Sequence, residues 1–422
     1  MASSSSPVIY DTGHMSPPAP AEGLWENREN AYRVYDSPGV PKCTVAVIAY
    51  NRLAKTRYCV ECILNHTSGV AFELLLIDNG SSDGTLEFFE SVLYGNKKII
   101  RITGNIGLGY AWRAARDHFS GKYLVIVSND VYVTGGWLAN LLKCYESDPR
   151  IGFVSPVSSN VSNFQQVDIP FSSYEEMQAK AAEYNQSDPL KWEERMRLIS
   201  LIGIYSRPVL DIVGISDSAF LHDFTEDDLA ARLRRSGYRL ILCRDTWVCH
   251  DHDFRSLEDK DPYEFQESLK YGRAVFREKY HGLDAWDDIL NFEFSLLSPL
   301  DAHPFAEEGV RCLVIDGRCG TPVLETRNRL KRRGIVTARV DAFTTNAKYY
   351  EDLLSVAGEV FCAPAQELGV IFEGGCYDAA VLCEPLNIYP APFAVLKSLY
   401  GLLRPGGLLL FKLLSSESYH VF

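Results

Sequence analysis

The chain has 422 residues, 46% apolar and 23% charged, with a formal net charge of −13. That length exceeds one ordinary domain. The acidic balance excludes a surface that binds nucleic acid through clustered Lys and Arg. No segment reaches the roughly 20 apolar residues of a transmembrane helix, since the longest candidate, Gly407 to Leu414, is interrupted by Lys412.

Residues 1–40 are rich in Ser, Pro and Ala and read as a mobile arm, with a short helix around Glu26 to Tyr35. The first residues lack the basic start and apolar centre of a signal peptide. Eleven scattered cysteines, an odd number, fit a reducing compartment better than a disulfide framework. The expected location is therefore cytoplasmic, free or peripheral at the inner face of the membrane. Cys59 and Cys62 form a lone Cys-x-x-Cys pair in a helix-like stretch; without a second pair they read as structural thiols rather than a zinc site.

From Cys43 onward, strands and helices alternate. Thr44 to Ala49 reads as a buried strand and Leu53 to Asn65 as a helix. Leu74 to Ile77 and Thr85 to Leu93 repeat the pattern, followed by Ile99 to Ile102, Gly109 to His118 and Tyr123 to Val127. Short apolar runs alternating with helices predict a parallel sheet with right-handed crossovers. Ligands of such sheets bind outside the carboxyl ends of the strands. Tyr50-Asn51-Arg52, Asp78-Asn79-Gly80 and Asp130 each follow a predicted strand, so all should border one crevice. Residues 171–198 interrupt the alternation with charged, helix-prone sequence and read as an insertion over that site. The alternation resumes over Ile199 to Tyr205, Ala230 to Ser236 and Tyr238 to Val248. It loosens after Trp286, where Pro299 and Pro304 suggest a linker, and a second series begins at Arg311.

Three signatures carry the chemistry. Asp130, straight after a buried strand, is a natural hard-oxygen ligand for Mg²⁺ or Mn²⁺ beside a diphosphate. His250 or His252, after another strand, offers an imidazole to the same ion. Thr225-Glu226-Asp227-Asp228 opens a helix, where the macrodipole favours acids. Asp228 and Arg232 are four apart and should pair, which leaves Glu226 or Asp227 as a general base. Asp78 heads a tight turn in which Asp83 or Ser82 caps the next helix, leaving Asp78 for a base or ribose. Together these groups point to glycosyl transfer from a nucleotide-sugar.

The order of these motifs resembles the family-two glycosyltransferases, inverting enzymes of the GT-A fold, over roughly residues 43–285. Val45 to Arg52 looks like the family's opening strand, Asp78-Asn79-Gly80-Ser81 like its base-contacting turn and Asn105-Ile106-Gly107 like its Asn-x-Gly segment. Ser128-Asn129-Asp130 is similar to its metal motif, and Phe224 to Arg239 to its acidic-cluster signature. Ser128 replaces an Asp common in the family, so Asp130 alone supplies a carboxylate. The resemblance implies a hexosyltransferase-type enzyme with Glu226 as base and Asp227 as second choice. It further implies donor contacts from Tyr50, Arg52, Asp78, Asn105, Gly107, Asn129 and Asp130, and a Mn²⁺ or Mg²⁺ held by Asp130 and His250. The donor would be a nucleotide-diphosphate sugar, the acceptor a glycan, lipid-linked or protein group shaped by residues 160–200, and the setting polysaccharide biosynthesis.

Residues 311–422 resemble a class I S-adenosylmethionine-dependent methyltransferase through Val314 to Pro322, Asp341 as a ribose-binding acid, and Leu402 to Leu408. Arg318 and Pro322 occupy places where glycines let the backbone approach the cofactor. This part is therefore expected to be degenerate, without S-adenosylmethionine, and to offer an oligomer or assembly contact. The expected organisation is an α/β GT-A domain over 41–285 with a mostly parallel Rossmann-like sheet, a linker over 286–308, and a smaller Rossmann-like domain over 309–422. Two alternatives stand beside the enzyme: a decayed sugar-nucleotide-binding module, and a bifunctional glycosyl- and methyltransferase.

Overall fold

The structure, a computed structural model, describes residues 30–220, 222–252, 262–287 and 292–415. Most of the expected N-terminal arm lies outside these residues. Its described end is a short helical stretch closing in a 3-10 turn at Val34–Asp36.

The expected α/β architecture is present, with two sheets. The larger one has nine strands. Its first half comprises β1 (Cys43–Ala49), β2 (Phe72–Asn79), β3 (Lys97–Ile102) and β4 (Tyr123–Ser128), parallel and in the order β3-β2-β1-β4. Every residue of β1 and β2 is buried, as expected for parallel strands covered on both faces. The crossovers are α1 (Leu53–His66), α2 (Thr85–Ser91) and α3 (Leu108–His118).

Register decides what emerges at the carboxyl edge. Ile48 pairs with Ser128 and Ala49 with Asp78, so the turns after β1, β2 and β4 leave the sheet side by side. Their order changes direction between β1 and β4, a topological switch point where open α/β sheets bind ligands.

The second half adds β5 (Val131–Tyr132), α4 (Trp137–Tyr145), β6 (Ile151–Ser158), α5 (Tyr174–Tyr184), β7 (Trp192–Glu194), β8 (Ile202–Ser206), α6 (Arg207–Val213), α7 (Thr225–Arg235) and β9 (Arg239–His250). Here β8 runs antiparallel to β4, β6 parallel to β9, and β5 and β7 antiparallel to β9. α8 (Pro262–Lys279) follows. Among the described residues no helix is long and apolar enough to cross a membrane.

The smaller sheet is wholly parallel, in the order β12-β11-β10-β13-β14. Its strands are β10 (Arg311–Ile315), β11 (Arg339–Thr344), β12 (Val360–Cys362), β13 (Tyr377–Leu382) and β14 (Leu403–Leu410). Its helices are α9 (Thr321–Arg332), α10 (Tyr350–Leu354), α11 (Leu368–Ile371) and α12 (Pro392–Leu402).

The stretch read as an insertion over the site has a second use. β7 extends the larger sheet and docks the smaller one. Asn328 on α9 donates to the Glu194 carbonyl at 3.0 Å and accepts from the Glu194 N–H at 3.1 Å. Buried Glu193 pairs with Arg195 and Arg332, and buried Glu194 with Arg239 and Arg327. Three successive residues of mixed polarity, Trp192-Glu193-Glu194, give no strand signal by themselves; cross-sheet ion pairs make their burial tolerable.

Candidate active site

The register of β5 against β9 builds the acidic and imidazole cluster. Val131 pairs with His250, and the Asp251 N–H donates to the Asp130 carbonyl at 2.9 Å. His250 Nε2 then lies 3.5 Å from Asp130 Oδ1, and His252 Nδ1 lies 3.5 Å from Oδ2. One ligand atom from each of the three residues falls within 4.8 Å of the others. The two imidazoles stack with centroids 5.0 Å apart. The sequence favours His250 over His252; the structure brings both to Asp130, since residues two apart along an extended chain share a face.

The cluster suits a divalent cation. His250 Nδ1 is 2.8 Å from the Asn160 carbonyl, which assigns a proton to Nδ1 and leaves Nε2 facing Asp130. The Ser159 hydroxyl and Asn160 amide also bond the His250 backbone. Burial raises the Asp130 carboxyl, but hydrogen bonds and charge from His250 and His252 outweigh it and hold the group well below the usual carboxylate range. A carboxylate and two imidazoles form a donor set for a divalent ion, the carboxylate suiting a hard cation and the imidazoles a first-row transition ion. Arg52 Nη1 reaches Asp130 Oδ2 at 3.1 Å and adds a fixed cation. Asn51 and Arg52 both adopt left-handed backbone, φ 55° and 60°, where the chain turns from β1 into α1.

The remaining expected donor-side residues line the same edge, and most are engaged in shaping it. Buried Asp78 accepts the Ser81 N–H at 3.0 Å. Asp83 accepts from Thr85 at the head of α2 and from the Leu53 N–H at the head of α1. Asn105 accepts from the Asn79 amide and the Gly107 N–H. Gly80 (φ 84°) packs so closely that a Cβ would stand 2.5 Å from the Gly104 carbonyl carbon. The Asn129 amide bonds Thr56 and the Asn51 carbonyl. Tyr50 is 47% exposed and presents its ring at the edge.

The acidic cluster divides three ways. Asp228 is fully buried and bonded to Arg232, Lys279 and Tyr280 at 2.6–2.8 Å, the structural role its spacing predicts. Asp227 is held by Arg197 Nε and by the Trp286 indole N–H at 3.3 Å. Neither Arg197 nor Trp286 was legible as a site residue. Glu226 is partly exposed, and its Oε1 accepts the Ser200 N–H at 2.8 Å. Desolvation, opposed by that N–H and reinforced by neighbouring Asp227, pushes Glu226 up to about 7. The next residue, Leu201, accepts the Ser128 N–H at 3.0 Å. One short turn thus ties the Glu226 carboxyl to the end of β4, two residues before Asp130.

Asp341, the expected ribose-binding acid of the smaller sheet, is not placed for that role. Asp341 sits within β11, opposite Leu313, and is buried against Arg311, Arg339 and Tyr377. A ribose-binding acid must instead stand beyond the carboxyl end of its strand. Asp316, at the switch point after β10, is bonded by Thr345 and Tyr389.

Residues 44–194 match the family model described as glycosyl transferase family 2. The hyaluronan synthase of Pasteurella multocida is 31% identical over 125 residues, covering 29% of this chain and 13% of the synthase. The chondroitin synthase of Pasteurella multocida (strain Pm70) is 30% identical over 125 residues, with the same coverage. Among solved structures, the mannosyltransferase PcManGT of Pyrobaculum calidifontis, in complex with GDP-Man and Mn²⁺, aligns with 55% of this chain and 65% of its own at 19% identity and a TM-score of 0.39. The chain therefore spans a small part of the length of the curated relatives it matches.

Proposed function

We propose, for a chain whose residues 44–194 match the model of glycosyl transferase family 2, that it transfers a sugar with inversion from a nucleotide-diphosphate donor to a hydroxyl acceptor. The transferase domain spans 41–285 and is joined through 286–308 to the domain over 309–422. The observation that carries this reading is the hydrogen-bonded link from Glu226 through Ser200 and Leu201 to Ser128, the last residue of β4 and two before Asp130. It ties a candidate base to the anion-side cluster through two backbone N–H groups.

Asp130, His250 and His252 would hold Mn²⁺ or Mg²⁺, which when bound offsets diphosphate charge. Arg52 places a further cation beside Asp130, and Asp78 and the turn at Asn105 form the floor for the nucleoside. Glu226 takes the acceptor proton as the new C–O bond forms at the anomeric carbon. The old bond to phosphate oxygen breaks, and its electron pair leaves with the nucleoside diphosphate. A base works best with a pKa near the working pH, and partial burial gives Glu226 that value. Asp227, tied to Arg197 and Trp286, stands beside the base with both oxygens engaged. The names of the relatives, hyaluronan and chondroitin synthase, favour a glycan acceptor over a lipid or protein one.

The test is release of nucleoside diphosphate from a panel of nucleotide-sugars with Mn²⁺, with and without short glycan acceptors. Turnover that requires both metal and Glu226 supports the reading. Tight donor binding without turnover of any donor would replace it with a non-catalytic binding module.

A further inference from the structure

We infer that Arg318, on the first turn of the smaller sheet, is a positioning residue for the transfer step, acting through Asp287 and Trp286 on the acidic cluster. The inference rests on the proposed role of Glu226 and extends it to a residue in the other sheet.

The order β12-β11-β10-β13-β14 has its switch point between β10 and β13, where a ligand would sit. Here that crevice is occupied by the chain's own groups. Arg318 adopts left-handed backbone at φ 47°, a conformation uncommon for a residue other than glycine. It directs its guanidinium away from β10 and onto Asp287 Oδ1 at 2.7 Å and Glu384 Oε1 at 2.9 Å. The hydroxyl of Tyr349, also from the smaller sheet's domain, bonds the other Asp287 oxygen. Both oxygens of Asp287 are thereby fixed from the same side.

Asp287 is bonded to its neighbour Trp286 by the backbone. The Trp286 indole N–H donates to Asp227 Oδ2 at 3.3 Å. Its ring stacks on Phe224, the residue that caps α7 at φ 65°, with centroids 4.8 Å apart. Arg197, which holds the other oxygen of Asp227, has its guanidinium 5.6 Å from the same ring. The path from Arg318 therefore ends on both sides of Glu226 in sequence: on Phe224, where the helix begins, and on Asp227. A second tie runs parallel to it, from Asp352 on α10 to Arg234 and Arg235 on α7. The crevice that would bind a ligand has become a clasp that sets the first turn of α7.

A rotation of that turn moves the Glu226 carboxyl relative to the acceptor, while Asp130 keeps its own contacts with Arg52, His250 and His252. Arg318→Ala is therefore expected to lower kcat about ten- to hundred-fold with the donor KM nearly unchanged. Arg318→Lys restores part of the loss, and Tyr349→Phe, which removes one hydroxyl, gives a smaller loss of the same kind. A readout independent of activity is the indole N–H resonance of Trp286 in protein labelled with ¹⁵N-Trp. Six tryptophans give a tractable spectrum, and Trp286→Phe assigns the signal. Arg318→Ala and Tyr349→Phe should shift this resonance in the folded protein. An unmoved resonance overturns the path, and a moved resonance with unchanged kcat overturns the positioning role. If the wild type transfers no sugar, the proposed function falls and the catalytic part of the inference with it, while the resonance still decides the path.

Discussion

His250 Nε2 faces Asp130 Oδ1 at 3.5 Å because His250 Nδ1 is fixed 2.8 Å from the Asn160 carbonyl. One backbone oxygen thus fixes the ring and turns Nε2 toward Asp130. In the proposed reaction, cation binding would rest on three side chains and one carbonyl.

Asp130→Ala should abolish Mn²⁺-dependent turnover, and His250→Ala should lower it at least about 100-fold. In the wild type, chelation should remove activity and added Mn²⁺ restore it. Calorimetric titration with Mn²⁺ alone checks the site directly. Binding by Asp130→Ala at wild-type affinity would move the metal elsewhere.

Asn160 adopts φ 46° and its amide bonds the His250 carbonyl at 3.0 Å. Asn160→Ala should weaken Mn²⁺ binding about ten-fold, the effect typical of an outer-shell partner. Asn160→Val should weaken it more, since a β-branched side chain resists left-handed backbone. Equal affinities for both variants would mean that the loop does not orient His250.

Glu226 acts as a base only when deprotonated, so kcat should rise with pH through about 7 and level off above it. Glu226→Gln should lose this limb and roughly 10²–10⁴-fold in rate, with donor affinity retained. Stability moves in the opposite sense. A carboxyl whose folded pKa lies above its unfolded value contributes stability at low pH, and this is lost as pH rises through about 7. Glu226→Gln should therefore raise Tm relative to wild type more at pH 8 than at pH 5. A pH-independent rate in the wild type would shift the role of base to Asp227.

Asp228 makes three buried charge-assisted bonds. Asp228→Ala removes the buried carboxylate that Arg232, Lys279 and Tyr280 share and should cost about 3 kcal/mol, read as a lower urea midpoint. A loss of kcat at unchanged stability would give Asp228 a part in the chemistry instead.

The sequence told much about the strands and less about what joins them. β1, β2 and β4 are continuous apolar runs, so their identity and parallel pairing are written locally, as are the polar residues that follow them. Asp130 and His250 were legible because each stands at the end of such a run. The pairing of Asp228 with Arg232 was legible because four residues make one helical turn. Asp227 was not, because Arg197 and Trp286 reach it from distant segments that carry no shared pattern. β7 was missed for the opposite reason: its buried glutamates look solvated until arginines from β9 and α9 surround them. Asp341 was misplaced because β11 continues for three residues beyond it, to Thr344, which leaves a carboxylate inside the sheet where a ribose contact was expected.

The buried pairs of Glu193 and Glu194 carry a thermodynamic consequence. A chain lacking α9 would expose Glu194 backbone groups now bonded by Asn328 and leave two carboxylates in the sheet with fewer guanidinium partners. The break in pattern near residue 286 marks two sheets but not two cooperative units. Heat should melt both in a single calorimetric transition, with the smaller sheet serving as an internal counterweight to the charge that the larger one buries.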